Sequence, residues 1–106
     1  MEDNNDLVMT GFRIIAAVGS ARSAYIEAIH AAKDGDFESA DRLVKEAGEA
    51  FLEGHDAHTE LVQREAGGDP ITMTLMLAHA EDQLMSAEAF GILAEEFVSV
   101  YKKMNA

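Results

Sequence analysis

The segment from Ile71 to Tyr101 constrains this chain most, because it carries three parallel apolar stripes where an ordinary surface helix carries one. Ile71, Leu75, Ala78, Met85, Ala89 and Ile92 form the first stripe, broken at Asp82. Met73, Leu77, Ala80, Leu84, Ala87, Gly91, Ala94, Val98 and Tyr101 form an unbroken second. Met76, His79, Gln83, Ser86, Phe90, Leu93, Phe97 and Val100 form a third, polar only in its middle. What remains for water is chiefly the row Thr74, Glu81, Glu88, Glu95 and Lys102. A helix apolar on nearly every side must be buried on nearly every side, and two neighbours from one chain cannot cover it. The pattern predicts self-association through this helix.

Two further helical patterns precede it. Leu7, Gly11, Ile14, Val18, Ala21, Tyr25, Ala28 and Ala32 recur at alternating steps of four and three, as do Phe37, Ala40, Val44, Ala47, Phe51, Gly54, His58 and Leu61. Asp34-Gly35-Asp36 supplies a Gly stop and an Asp N-cap between them. Gly67-Gly68 ends the second pattern, and Asp69-Pro70 is expected to restart a helix, because Asp caps and Pro is tolerated at the first helical position. The expectation is one all-α domain over residues 1–106, with helices at about 5–34, 36–66 and 70–104. Short connections make successive helices antiparallel, giving an up-down-up bundle of helices each about 45 Å long. One proline, 7% aromatic residues and a length of 106 suit packed helices with a modest core, which oligomerisation would support.

Composition excludes several function classes. The chain has no cysteine, so there is no disulfide framework, thiolate nucleophile or Cys-ligated zinc. A net charge of −12 repels nucleic acid and anionic membranes, and no apolar run approaches the roughly 20 residues that span a bilayer. The acidic start, Met1 to Asp6, lacks a signal-peptide pattern, and a cytoplasmic protein is expected. No Gly-rich phosphate loop, Gly-x-Ser-x-Gly elbow or His-Glu-x-x-His motif occurs.

The polar residues inside the stripes are the candidates for chemistry. Asp82 stands where its apolar neighbours predict burial, and an isolated buried carboxylate is costly unless it is paired, protonated or bound to a cation. Either three copies converge on the axis of a trimer around a divalent ion, or Asp82 lies exposed at the rim of a pocket. His79 lies three residues before Asp82 and four before Gln83, so the three share one side of the helix, away from Glu81. A neutral imidazole with one nitrogen held leaves the other free as nucleophile or ligand, although a single helical His is more often structural. His30 follows Glu27 with di-iron spacing, but no second copy exists to complete such a site. His55 and His58 read as packing histidines near Phe51 and Leu61. Arg22 interrupts the stripe Val8, Phe12, Ile15, Gly19, Ile26 and Ile29, either snorkelling to water or pairing with an acid; a phosphate-binding role is open but unforced.

The segment His79-Ala-Glu-Asp-Gln-Leu-Met85 resembles the His-Ala-Gln-Asp-His-Leu-Met signature of the lactose/cellobiose (N,N'-diacetylchitobiose) enzyme IIA family of the sugar phosphotransferase system. The likeness extends to Gly19-Ser-Ala-Arg-Ser23, Glu27-Ala28, Gly35-Asp-Phe-Glu38, His55, Thr59, Leu61, Gln63, Glu65-Ala66 and Tyr101-Lys-Lys103. The resemblance implies a three-helix homotrimer acting as a cytoplasmic phosphocarrier. His79 would accept a phosphoryl group from HPr and pass it to a cysteine of a IIB component, during uptake of a β-linked disaccharide. It also implies that Asp82 gathers at the threefold axis with a divalent metal ion, expected to be Mg. Gln83, where a second His is usual, would meet the phosphoryl group with a hydrogen bond but cannot ionise; Glu81 and His58 each replace a usual Gln. The competing readings are a regulatory binding protein that keeps the fold, and a plain helical oligomerisation or metal-storage bundle.

Overall fold

A computed structural model of the chain describes residues 4–106, with side chains from Asp6 onward. Three α-helices of 30 residues each form an elongated bundle of 58 × 21 × 18 Å: α1 (Asn4–Lys33), α2 (Phe37–Ala66) and α3 (Leu75–Met104). The up-down-up order follows from two connections built the same way. In the first, Asp36 N–H donates to Ala31 C=O (2.9 Å) and Gly35 N–H to Ala32 C=O (3.0 Å). In the second, Asp69 N–H donates to Arg64 C=O (3.0 Å) and Gly68 N–H to Glu65 C=O (3.1 Å). Both are Schellman closures, and each needs a left-handed residue, supplied by Gly35 at φ +84° and Gly68 at φ +95°. Asp36 then caps α2 by accepting the Ser39 N–H at 3.1 Å, and hydrogen bonding from the Ser39 side chain first and its backbone N–H second holds the Asp36 carboxyl below the usual carboxylate range.

The third helix starts at Leu75, five residues after the expected start at Pro70. Asp69 is unavailable as a cap, because its N–H completes the turn and its Oδ2 accepts from Arg64 Nε at 3.3 Å. The chain instead continues without helix through residue 74, laying Ile71 against the core. Thr74 becomes the N-cap, its Oγ1 accepting the Leu77 N–H at 3.1 Å.

Helix α1 packs closely against both other helices, along a seam of small side chains. Ala21, Ala28 and Ala32 of α1, Ala40, Ala47 and Ala57 of α2, and Ala80, Ala87 and Ala94 of α3 are all fully buried. Among the larger side chains only Ile14, Val18 and Leu77 are as well enclosed, and they sit together toward the Thr74 end. Close approach is tightest at two glycines. A Cβ on Gly54 would lie 2.7 Å from Val18 Cγ1, and one on Gly91 would lie 2.8 Å from the Tyr25 ring. The Tyr25 hydroxyl is pushed above its ordinary range by this burial and, secondarily, by Glu95.

Gly54→Ala is expected to lower stability by about 1–3 kcal/mol, because Val18 is stiff and enclosed and cannot yield. Gly48→Ala, whose new Cβ would meet nothing nearer than the Tyr25 hydroxyl at 3.9 Å, is expected to gain up to about 1 kcal/mol from helix propensity. Urea unfolding of the two variants beside wild type checks the contrast.

Candidate functional site

The three stripes of α3 meet three different environments. The second is the intrachain core: Leu77, Ala80, Leu84, Ala87, Gly91, Ala94 and Val98 are buried. Apart from Ile71, which precedes the helix and packs on the core, the first points away from the rest of the chain, leaving Leu75 89%, Met85 72% and Ile92 60% exposed. The third flanks α1, with Leu93, Phe97 and Val100 about half exposed. One chain thus buries one stripe of three, which leaves the predicted requirement for further cover standing.

His79 is exposed on the side of α3 next to α1, and its ring makes no hydrogen bond or ion pair within the chain. Both ring nitrogens are open to an incoming partner. Leu75, one turn earlier, provides the exposed apolar surface beside it. Gln83, one turn later, is half-buried, and its Oε1 accepts a hydrogen bond from Arg22 Nη1 of α1. Arg22 therefore neither snorkels freely nor pairs with an acid, as the two readings of its stripe had it; its partner is a neutral amide. Arg22 and Gln83 each interrupt an apolar stripe, but they stand about a turn apart along the bundle, and the long Arg22 side chain reaching back to Gln83 is what joins the two breaks.

Asp82 is exposed and makes no bond within the chain. Among the described residues, no group of three His, Asp or Glu side chains converges. A single chain does not build a metal site. Neither the Glu27–His30 nor the His55–His58 pair belongs to a group of three such side chains, and His55 sits 5.9 Å from the Phe51 ring.

The row expected to face water is exposed at Glu88, Glu95 and Lys102, and two of its members reach α2. Lys102 Nζ donates to Asp41 at 2.9 and 3.0 Å, and Glu81 Oε1 lies 2.8 Å from His58 Nε2. His58 is thus a half-buried interhelix partner rather than a packing residue only, and Glu81 is directed away from His79. The two form part of the wall of a cavity of about 250 Å³ with Ile14, Leu61, Ile71 and Leu77. Both residues depart from the family signature, and in the structure the two departures touch.

Comparison with known proteins accords with this arrangement. Residues 9–102 match the model of the family described as the PTS system, lactose/cellobiose specific IIA subunit. The chain belongs to that family. The lichenan-specific phosphotransferase enzyme IIA component of Bacillus subtilis (strain 168) is 41% identical over 102 residues, covering 96% of this chain and 93% of the relative. The crystal structure of the PTS cellobiose-specific enzyme IIA from Bacillus anthracis superposes with a TM-score of 0.90 at 38% identity, covering 99% and 94% of the two chains. The IIA(chitobiose) subunit solved in complex with HPr, from the N,N'-diacetylchitobiose branch of the Escherichia coli phosphotransferase system, gives a TM-score of 0.79 at 30% identity over all of both chains. The all-α three-helix architecture is that of enzyme IIA. Among the described residues no helix is long and apolar enough to cross a membrane.

The His58–Glu81 contact has a measurable worth. With Glu81 about half exposed, a double-mutant cycle through His58→Gln and Glu81→Gln is expected to give a coupling below about 1 kcal/mol in favour of the native pair. Thermal or urea unfolding at pH 7 measures it, and zero coupling would reduce the contact to proximity.

Proposed function

We propose that this enzyme IIA is a cytoplasmic phosphocarrier that accepts a phosphoryl group on His79 from phosphorylated HPr and delivers it to a cysteine of a IIB component, during uptake of a β-linked disaccharide. The observation that carries the reading is His79 itself: an exposed imidazole with no partner in its own chain, on a helix whose surrounding surface is apolar. A carrier that serves two protein partners in turn needs a shallow, accessible nucleophile rather than a deep substrate pocket. The HPr complex of a relative supports the choice of donor.

In the transfer, the lone pair of one neutral His79 nitrogen forms the N–P bond in line, while the bond between phosphorus and the donor breaks and its electron pair leaves with the donor. The second step reverses the roles, with the IIB thiolate forming the S–P bond as His79 departs. The protein's part is positioning. Gln83, one turn from His79 on the same side of α3, would offer its amide N–H groups to the phosphoryl oxygens, and the apolar rim at Leu75 would exclude water around the docked partner. His58 holds Glu81 on the far side of the helix, so this family departure adds little repulsion toward the phosphoryl group.

The functional unit is a homotrimer in which the outward stripes of three α3 helices pack on one another. Asp82 lies in that stripe as a carboxylate without a partner. Its oxygen donor suits a hard divalent cation such as Mg²⁺, and three copies would hold the ion at the axis. When bound, the ion neutralises the clustered carboxylates and takes no part in the transfer.

Incubation with radiolabelled phosphoenolpyruvate, enzyme I and HPr is expected to label wild type and leave His79→Ala unlabelled at unchanged helicity. An unlabelled wild type would exclude the carrier reading and leave the regulatory one. For the axial ion, a chelator is expected to lower the melting temperature of wild type and to have no effect on Asp82→Ala; equal responses would contradict it.

A further inference from the structure

The chain has four arginines, and three of them face carboxylates: Arg13 faces Glu60, Arg42 faces Glu46, and Arg64 faces Asp6 and Asp69. Arg22 alone is bonded to a neutral acceptor, the Gln83 amide oxygen. Glu27 shares with it a shallow depression of about 410 Å³ between α1 and Phe90, yet forms no ion pair with it. A guanidinium has five N–H donors, and Gln83 engages one. Arg22 therefore keeps its full charge and most of its donors on a half-buried face.

Its position directs that charge toward His79. Gly11 of α1 lies against Met76 of α3, and Tyr25 lies against Gly91, so the two helices run parallel in step. Arg22 stands three residues before Tyr25 and reaches back along the bundle to Gln83, in the N-terminal direction that helical side chains favour. One turn further in that direction is His79, whose Cβ is about 5–6 Å from that of Gln83. A phosphoryl group on His79 adds nearly two negative charges to a chain already at −12. A cation one side-chain length away, held by a partner that does not neutralise it, is suited to accept that load.

Resting on the phosphocarrier reading, we infer that Arg22 is the group that neutralises the phosphoryl on His79, donating one of its free N–H bonds to a phosphoryl oxygen while Gln83 holds the guanidinium in place. The residue at position 83 has a defined part in this. An acid there would pair with Arg22 and cancel its charge, whereas the amide orients it and leaves the charge for the phosphoryl group. The Gln that departs from the family signature is thus matched to an arginine on the neighbouring helix.

The test is a ³¹P NMR pH titration of the protein phosphorylated through enzyme I and HPr, comparing wild type with Arg22→Gln, Arg22→Lys and Gln83→Glu. A nearby cation favours the phosphoryl dianion, so its titration midpoint is expected at higher pH in Arg22→Gln and in Gln83→Glu, and near the wild-type position in Arg22→Lys. The ratio of phosphorylated to free protein in equilibrium with phospho-HPr is expected to fall about tenfold in the first two variants. Gln83→Glu leaves Arg22 in place with a partner, so its response separates lost charge from lost packing. An unlabelled wild type would overturn the carrier reading and this inference with it. A labelled wild type whose titration matches that of Arg22→Gln or Gln83→Glu would overturn the role of Arg22 alone.

Discussion

Close approach of the three helices along a seam of alanine and glycine is the constraint from which the other features follow. Fully buried Ala21, Ala28, Ala32, Ala40, Ala47, Ala80, Ala87 and Ala94 bring the helix axes together but offer little apolar area each. A few large side chains, among them Ile14, Val18, Leu77, Leu84 and Tyr25, are buried between the alanines, and the others stand outside the seam. Leu75, Met85, Ile92, Leu93, Phe97 and Val100 of α3 are accordingly exposed in the single chain. The same choice of small residues that makes the bundle narrow thus creates an apolar surface that one chain cannot cover. The glycines at positions 54 and 91 are where the seam is tightest, with Val18 and the Tyr25 ring occupying the space of a missing side chain.

Most of the architecture was legible in the sequence, because it rests on periodicity and on turn chemistry that acts locally. The alternation of four and three gives all three helices, and Gly35 with Asp36 fixes the first connection through a left-handed residue and a cap. The start of α3 was not legible, since Asp69 has two local uses and only the fold decides between them. It serves the end of α2 and Arg64, so the cap passes to Thr74. The pairs Arg22–Gln83 and His58–Glu81 were hidden for a different reason: each joins residues far apart in sequence. Periodicity identifies which face of a helix a residue occupies but not which residue of another helix stands at the same height.

These two polar pairs divide the surroundings of α3 by function. His58 takes up Glu81 on the flank toward α2, removing a carboxylate from the approach to His79. Arg22 and Gln83 bring a cation to the opposite flank, toward α1. The intervening outward stripe holds Asp82 among exposed apolar residues. The inner stripe of α3 closes the bundle; under the proposed function its outer stripe would close the assembly and the side between them would carry the phosphoryl group.

The proposed trimer requires that the surface left over by the alanine seam be covered by other copies of the same chain. Sedimentation equilibrium of the purified wild-type protein at micromolar concentration tests it most directly. A single species of three times the chain mass is expected; a stable species of one chain mass, with its apolar stripe facing water, would contradict the trimer.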